Sequence, residues 1–215
     1  MLSRIVRLSL PLVVALPLAS GCQSTYYAAW EKLGYEKRDI LTSRVEKARD
    51  AQQDAKEEVV SALEAFSKTV KYDGGELQAQ YKRLSAQLES SEDAAANVRT
   101  RVANVEKVAG ALFDEWKSEL DNYQNPALRQ RSQQQLAETR SRYGQMIRAM
   151  RAARDRLEPA LSPLRDQVLF LKHNLNARAL ATIKDEVAKV DVEVDRLVAD
   201  IDKAIAEANR FIKQL

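Results

Sequence analysis

The sequence predicts an all-α protein: an elongated antiparallel helical bundle of coiled-coil-like hairpins with three to four long helices. Three observations carry that expectation. Apolar side chains recur at alternating spacings of three and four over most of the chain, which keeps them on one face of a helix. Among 215 residues only 6 are Gly and 5 are Pro, and aromatics make up 6%, too little turn and strand chemistry for an all-β fold. Charged residues account for 30%, a balance suited to long solvated helices. A single Cys and a single His exclude a disulfide scaffold and leave no Cys/His set for zinc.

The first 21 residues read as an address. Arg4 and Arg7 precede an apolar run from Leu8 to Ala19 that contains Pro11 and Pro17. That run is shorter than the ~20 residues a membrane-spanning helix needs, so residues 1–21 are expected to be a removable leader. Leu18-Ala19-Ser20-Gly21-Cys22 resembles the lipobox of bacterial lipoproteins, with Ala19 standing where Leu is commoner. The resemblance implies acylation of Cys22 and cleavage before it. Gln23, rather than Asp, follows the Cys, and that points to the outer membrane facing the periplasm rather than to the inner membrane. Each buried acyl CH₂ contributes about 0.8 kcal/mol, so two or three chains anchor a protein without a spanning helix. Residues 22–29 then form a lipidated tether, and residues 30–215 a single helical-bundle domain.

Without Arg4 and Arg7 the mature chain has 32 basic and 31 acidic side chains. Nucleic acid therefore loses its compositional support as a partner.

From Trp30 the helices follow in order. The first runs to about Lys71 on a seam of Leu41, Val45, Ala48, Gln52, Ala55, Val59, Leu63, Phe66 and Val70. Asp73-Gly74-Gly75 ends it, because Gly tolerates the positive φ of a tight turn. The second, from about Glu76 to Asn122, uses Leu77, Tyr81, Leu84, Leu88, Ser91, Ala95, Val98, Val102, Val105, Ala109, Leu112, Trp116 and Leu120. Equal lengths joined by a short turn imply an antiparallel hairpin. Asn125-Pro126 marks a third start, with Asn as cap and Pro preset for the first helical position. That helix runs to about Glu158 through Leu136, Thr139, Tyr143, Met146, Met150, Ala153 and Leu157. Pro159 and Pro163 are expected to break or kink it, leaving residues 157–176 open between loop, kink and continuous helix. The last helix follows to about Lys213, with Ile183, Val187, Val190, Val194, Leu197, Ile201, Ile205, Ala208 and Ile212 on its seam.

Charge is uneven. Residues Glu76 to Asp121 hold nine acids and six bases, whereas Pro126 to Glu158 holds eight Arg and three acids. The first explanation is that the Arg-rich helix lies against the acidic one and helps set register. The second is an outward face of Arg148, Arg151, Arg154 and Arg156 for phosphate or carboxylate groups.

Catalytic motifs are missing from the sequence. The glycines form no phosphate loop, no Ser lies between glycines, and His173 has no nucleophile near it in sequence. Asp114 and Glu115 beside Trp116 read as a solvated heptad face. No cofactor, metal or catalytic residue is expected. One segment is chemically unusual: Lys172, His173, Asn174, Asn176 and Arg178 sit among apolar residues soon after the prolines. It reads first as a polar cluster that fixes bundle register and second as a binding site. Trp30 and Trp116 read as seam-filling aromatics.

The run from Trp30 to Leu41, the block Tyr72-Asp73-Gly74-Gly75-Glu76-Leu77, the block Ala111-Leu112-Phe113-Asp114-Glu115-Trp116, and the stretch Asp166 to Leu180 resemble an uncharacterised family of proteobacterial lipoproteins known as a domain of unknown function. The resemblance implies the lipoprotein architecture and carries no activity. The expected function is a non-catalytic scaffold or adaptor of the cell envelope, held to the membrane through Cys22 and meeting an envelope protein or the cell wall. The alternative is a protein that binds or shapes membrane through its Arg face. A homo-oligomer is left open.

Overall fold

Five helices follow one another in the computed structural model, which describes residues 36–72 and 77–215. They are α1 (Lys37–Val70), α2 (Leu77–Glu119), α3 (Pro126–His173), α4 (Ala177–Ile183) and α5 (Val187–Ile212), with 3₁₀ turns at Leu120–Asn122 and Lys184–Glu186. No strand occurs among the described residues. The chain divides into two units, Met1–Glu36 and Lys37–Leu215, and the second is the bundle described here. The leader, the lipobox, Cys22, the tether, Trp30 and the Asp73-Gly74-Gly75 turn lie outside the described residues.

Four helices close a ring: α1 packs on α2, α2 on α3, α3 on α5, and α5 back on α1. Cross-helix pairs give the directions. Lys37 Nζ at the start of α1 meets Glu115 at the end of α2, and Gln87 donates to Glu58 further along the same pair. Trp116 Nε1 donates to Ser132 and Arg165 Nε to Glu92, which sets α2 against α3 in opposite directions. Arg156 reaches Asp200, while Arg49 and Lys56 reach Asn209 and Asp202, so α5 is antiparallel to both its neighbours. One end of the bundle therefore holds the start of α1, and the opposite end holds the α1–α2 connection, α4 and the start of α5. The 43 residues of α2 span about 65 Å at 1.5 Å per residue.

The core is apolar along this length. Leu41, Phe66, Leu84, Met146, Met150, Leu157, Leu164, Leu197 and Ile201 are among its fully buried side chains. Most seam positions read from the sequence are buried, and two shifts stand out. Leu63 is only half-buried while Ala62 takes the inner position, and α5 buries Ala204 and Phe211 where Ile205 and Ile212 were expected. Along α5 the buried set Val190, Val194, Leu197, Ile201, Ala204, Ala208 and Phe211 keeps a strict alternation of four and three, so the packed stripe continues through Ala rather than through its bulkier neighbour.

The expected break at the two prolines does not occur: α3 is one helix of 48 residues with Pro159 and Pro163 inside it. Each Pro removes one N–H and frees one carbonyl. Pro159 and Asp155 are exposed, so the freed carbonyl of Asp155 and that of Pro159 itself can bond to water. Meanwhile Leu157, Ala160, Leu161 and Leu164 keep the buried stripe unbroken. The real interruption falls at residues 174–176. Asn174 Nδ2 donates to the Phe170 carbonyl at 2.9 Å, closing α3, and Asn176 Oδ1 accepts from Ala179 N at 3.0 Å, opening α4. At the other end Asn125 caps α3 as expected, its Oδ1 accepting from the N–H groups of Ala127 and Leu128.

Candidate functional site

The Arg face of α3 is the first candidate, and the helix places its four members differently. Arg151 Nε donates to Glu106 on α2 at 2.6 Å. Arg154 lies 3.9 Å from the same carboxylate and donates to Asp155 at 2.8 Å. That hydrogen bond raises its pKa further above the ordinary guanidinium value, ahead of the opposing effect of burial. Arg156 points the other way, to Asp200 on α5 at 3.1 Å. Only Arg148 is exposed without a carboxylate partner among the described residues. Arg165, outside the proposed set, bridges Glu92 at 2.6 Å and Glu158 at 2.8 Å. Its hydrogen bonds pull the Glu158 carboxyl below its ordinary range. The acid-rich α2 and the Arg-rich α3 thus meet through their own charges.

The polar segment after the prolines is not buried. Lys172, His173, Asn176 and Arg178 are exposed and Asn174 is half-buried. It forms no buried register cluster, because these side chains flank a helix end where the two Asn serve as caps. The polar groups inside the bundle are others. Gln52, fully buried, donates from Nε2 to the Met150 carbonyl at 3.2 Å while its Oε1 finds no partner. Ser91 Oγ donates within reach of the Glu58 and Gln87 carbonyls at 2.9 and 2.8 Å. Ser132 accepts from the Trp116 indole at 2.8 Å, so Trp116 is anchored as well as packed. Gln52 and Ser91 stand on the seams read from the sequence; Ser132, four residues before the buried Leu136 on the same stripe, was not read as part of that seam.

Two further features bear on chemistry. Tyr143 packs edge-on between Phe113 and Phe211, and burial, reinforced by Glu106, pushes its phenol up to about 12. Arg140 stacks 5.3 Å from the Phe113 ring and donates to the Phe113 carbonyl at 3.1 Å. Between α1 and α2 runs an open groove of about 400 Å³ lined by Asp54, Glu57, Glu58, Ser90, Asp93, Ala94 and Asn97. Glu57 and Glu58 there accept from Gln53 and Gln87. Among the described residues no group of three or more His, Cys, Asp or Glu side chains is arranged to hold a metal ion. Asp114 is exposed, whereas Glu115 is engaged by Lys37. No described helix is long and apolar enough to cross a membrane.

Compared with known proteins, residues 26–215 match a family model described as a protein of unknown function (DUF2959). Neither the curated proteins nor the solved structures include a match to the chain.

Proposed function

The chain belongs to the DUF2959 family of proteins of unknown function, and we propose that it serves as a lipid-anchored, non-catalytic helical scaffold or adaptor of the bacterial cell envelope. The observation that carries this reading is the use to which the bundle puts its charges. Lys37–Glu115, Lys56–Asp202, Arg151–Glu106, Arg165–Glu92 and Arg156–Asp200 each join two different helices at successive levels. Together with an apolar core, such pairs hold long helices in one register. A stiff bundle of this kind suits holding partners at a set distance. The lipobox-like run ending at Cys22 supports a lipid anchor, and Gln23 supports the outer membrane facing the periplasm.

The membrane-shaping alternative has less support, since three of the four guanidinium groups it would use are paired within the bundle. Replacing Cys22 by Ser in cells tests the anchor. The native protein should stay with membranes through a high-salt wash, and the variant should be released by it. Salt-resistant retention of the variant would sink the reading. Photo-crosslinking from position 148, the one unpaired Arg of the set, should capture an envelope partner if the scaffold reading holds.

A further inference from the structure

All the large apolar side chains that stand exposed among the described residues lie towards the ends of the bundle: Tyr123 and Leu128 near the start of α3, Leu169 and Phe170 near its end, and Val192 early in α5. Leu169 and Phe170 differ from the first pair in their surroundings. The sixteen residues from Leu169 to Lys184 contain Lys172, Arg178, Lys184 and His173 and not one carboxylate, in a chain where acids and bases are otherwise almost balanced. This stretch forms the end of α3, the Asn174–Asn176 connection, α4 and the first residue of the 3₁₀ turn that follows.

Its side chains divide into two faces. Leu171, Ala179, Leu180 and Ile183 are buried against the bundle. Outward stand Leu169, 58% exposed, and Phe170, 38% exposed, together with the exposed Lys172, Arg178 and Lys184. None of these three cations has an ion-pair partner among the described residues, unlike Arg151, Arg154, Arg156 and Arg165 on the same helix. At the same end Lys71, Lys82 and Arg83 are also exposed and unpaired among the described residues. The exposed acids bordering the stretch are Asp166 and Asp185.

We propose that this end of the bundle is a contact surface for an anionic phospholipid bilayer, with Leu169 and Phe170 entering the headgroup boundary and Lys172, Arg178 and Lys184 meeting lipid phosphates. The physical reason lies in the combination. Unpaired cations alone would suit any polyanion, but an adjacent Leu and Phe held in water also gain free energy by entering the apolar phase that lies beneath the anionic layer of a bilayer. Long Lys and Arg side chains can keep their charge at the phosphate level while their stems follow the apolar pair down. Each cation near an anionic surface adds to the attraction, and the contribution falls as salt is raised. The surface lies at the opposite end of the bundle from the start of α1 and does not depend on acylation of Cys22.

The test uses the full mature chain with Cys22→Ser, which removes any acyl anchor, mixed with phosphatidylglycerol or phosphatidylcholine vesicles. Sedimentation with the first and not the second is expected, weakening as salt is raised. Leu169→Ser with Phe170→Ser, and separately Lys172→Glu with Arg178→Glu, should each lower vesicle affinity by about tenfold or more. Lys172 and Arg178 are exposed, so melting of the Lys172→Glu with Arg178→Glu variant should match the parent, and Arg148→Glu should bind as the parent does. Absence of sedimentation overturns the proposal. So does vesicle binding that survives loss of Leu169 and Phe170, which would indicate electrostatic adsorption to anionic headgroups without bilayer entry. Loss on Arg148→Glu with none on Lys172→Glu and Arg178→Glu would move the contact to the flank of α3 and overturn it equally. These outcomes are separate from the Cys22 anchor, which is read from salt-resistant retention of the native protein.

Discussion

A buried oxygen without a donor is the sharpest local feature of the bundle. Gln52 sits on the α1 seam at 0% exposure with one amide bond made and Oε1 unmet. An unpaired buried polar atom costs about 1–3 kcal/mol, more than one ordinary hydrogen bond returns. Leu has nearly the same volume, and the Met150 carbonyl lies within α3, where the helix ladder already supplies a donor. Gln52→Leu should therefore stabilise the bundle by about 1 kcal/mol, read as a rise of about 3 °C in the thermal midpoint. A fall would mean that the amide contributes through packing or an internal water. Tyr143 gives a pH prediction. Its phenol is held protonated to about 12 by burial, beyond the ordinary 10. The raised value means that this contribution to stability is complete below about pH 10 and is lost as pH climbs from there through the folded value. Urea midpoints should drop across that alkaline window, and Tyr143→Phe should remove the Tyr143 part of the drop. At this scale the sequence was partly readable: Gln52 and Ser91 interrupt an apolar seam visibly, whereas Ser132 as the acceptor for Trp116 depends on a contact between two helices.

Within single helices, Gly110 offers the clearest test. It lies inside α2, more than two turns from its end, and an added Cβ would meet nothing within 4 Å. Gly in a helix interior costs about 0.5–1 kcal/mol relative to Ala through lost backbone entropy. Gly110→Ala should accordingly raise stability by that amount in a urea titration, with no change in slope. A decrease would show that another molecule or the chain itself approaches closely there. The prolines teach the converse lesson. Local chemistry at Pro159 and Pro163 argues for a break, yet the helix continues because both lost ladder bonds fall toward solvent and the buried stripe is intact. The break comes instead where Asn174 and Asn176 can cap two helix ends, and nothing in their spacing distinguishes a cap pair from a buried polar pair. The slip of α5 from Ile205 and Ile212 to Ala204 and Phe211 has a similar origin: adjacent apolar residues fit the same periodicity, and only the neighbouring helices choose between them.

Across the whole bundle, hydrophobic burial outweighs the ion pairs. Most paired side chains remain substantially exposed, as Arg165 and Glu92 do at 42% and 39%, and such pairs are worth about 0–1 kcal/mol each. Raising potassium chloride from about 0.05 M to about 1 M, which shortens the Debye length to about 3 Å, should shift the thermal midpoint by no more than a few degrees. A large drop would assign stability, and not only register, to the charges. The division between long-range and local information follows from this. The amino-acid order by itself determined the all-α class and most of the core, because a helix face is written in spacings of three and four residues that any stretch carries internally. Only the tertiary structure decided which guanidinium groups are neutralised, that α3 passes its prolines, and that the polar segment lies on an outer surface beside Leu169 and Phe170. Those outcomes turn on distances between side chains some 30 to 160 positions apart, and no local pattern encodes which of two similar faces a distant helix will cover.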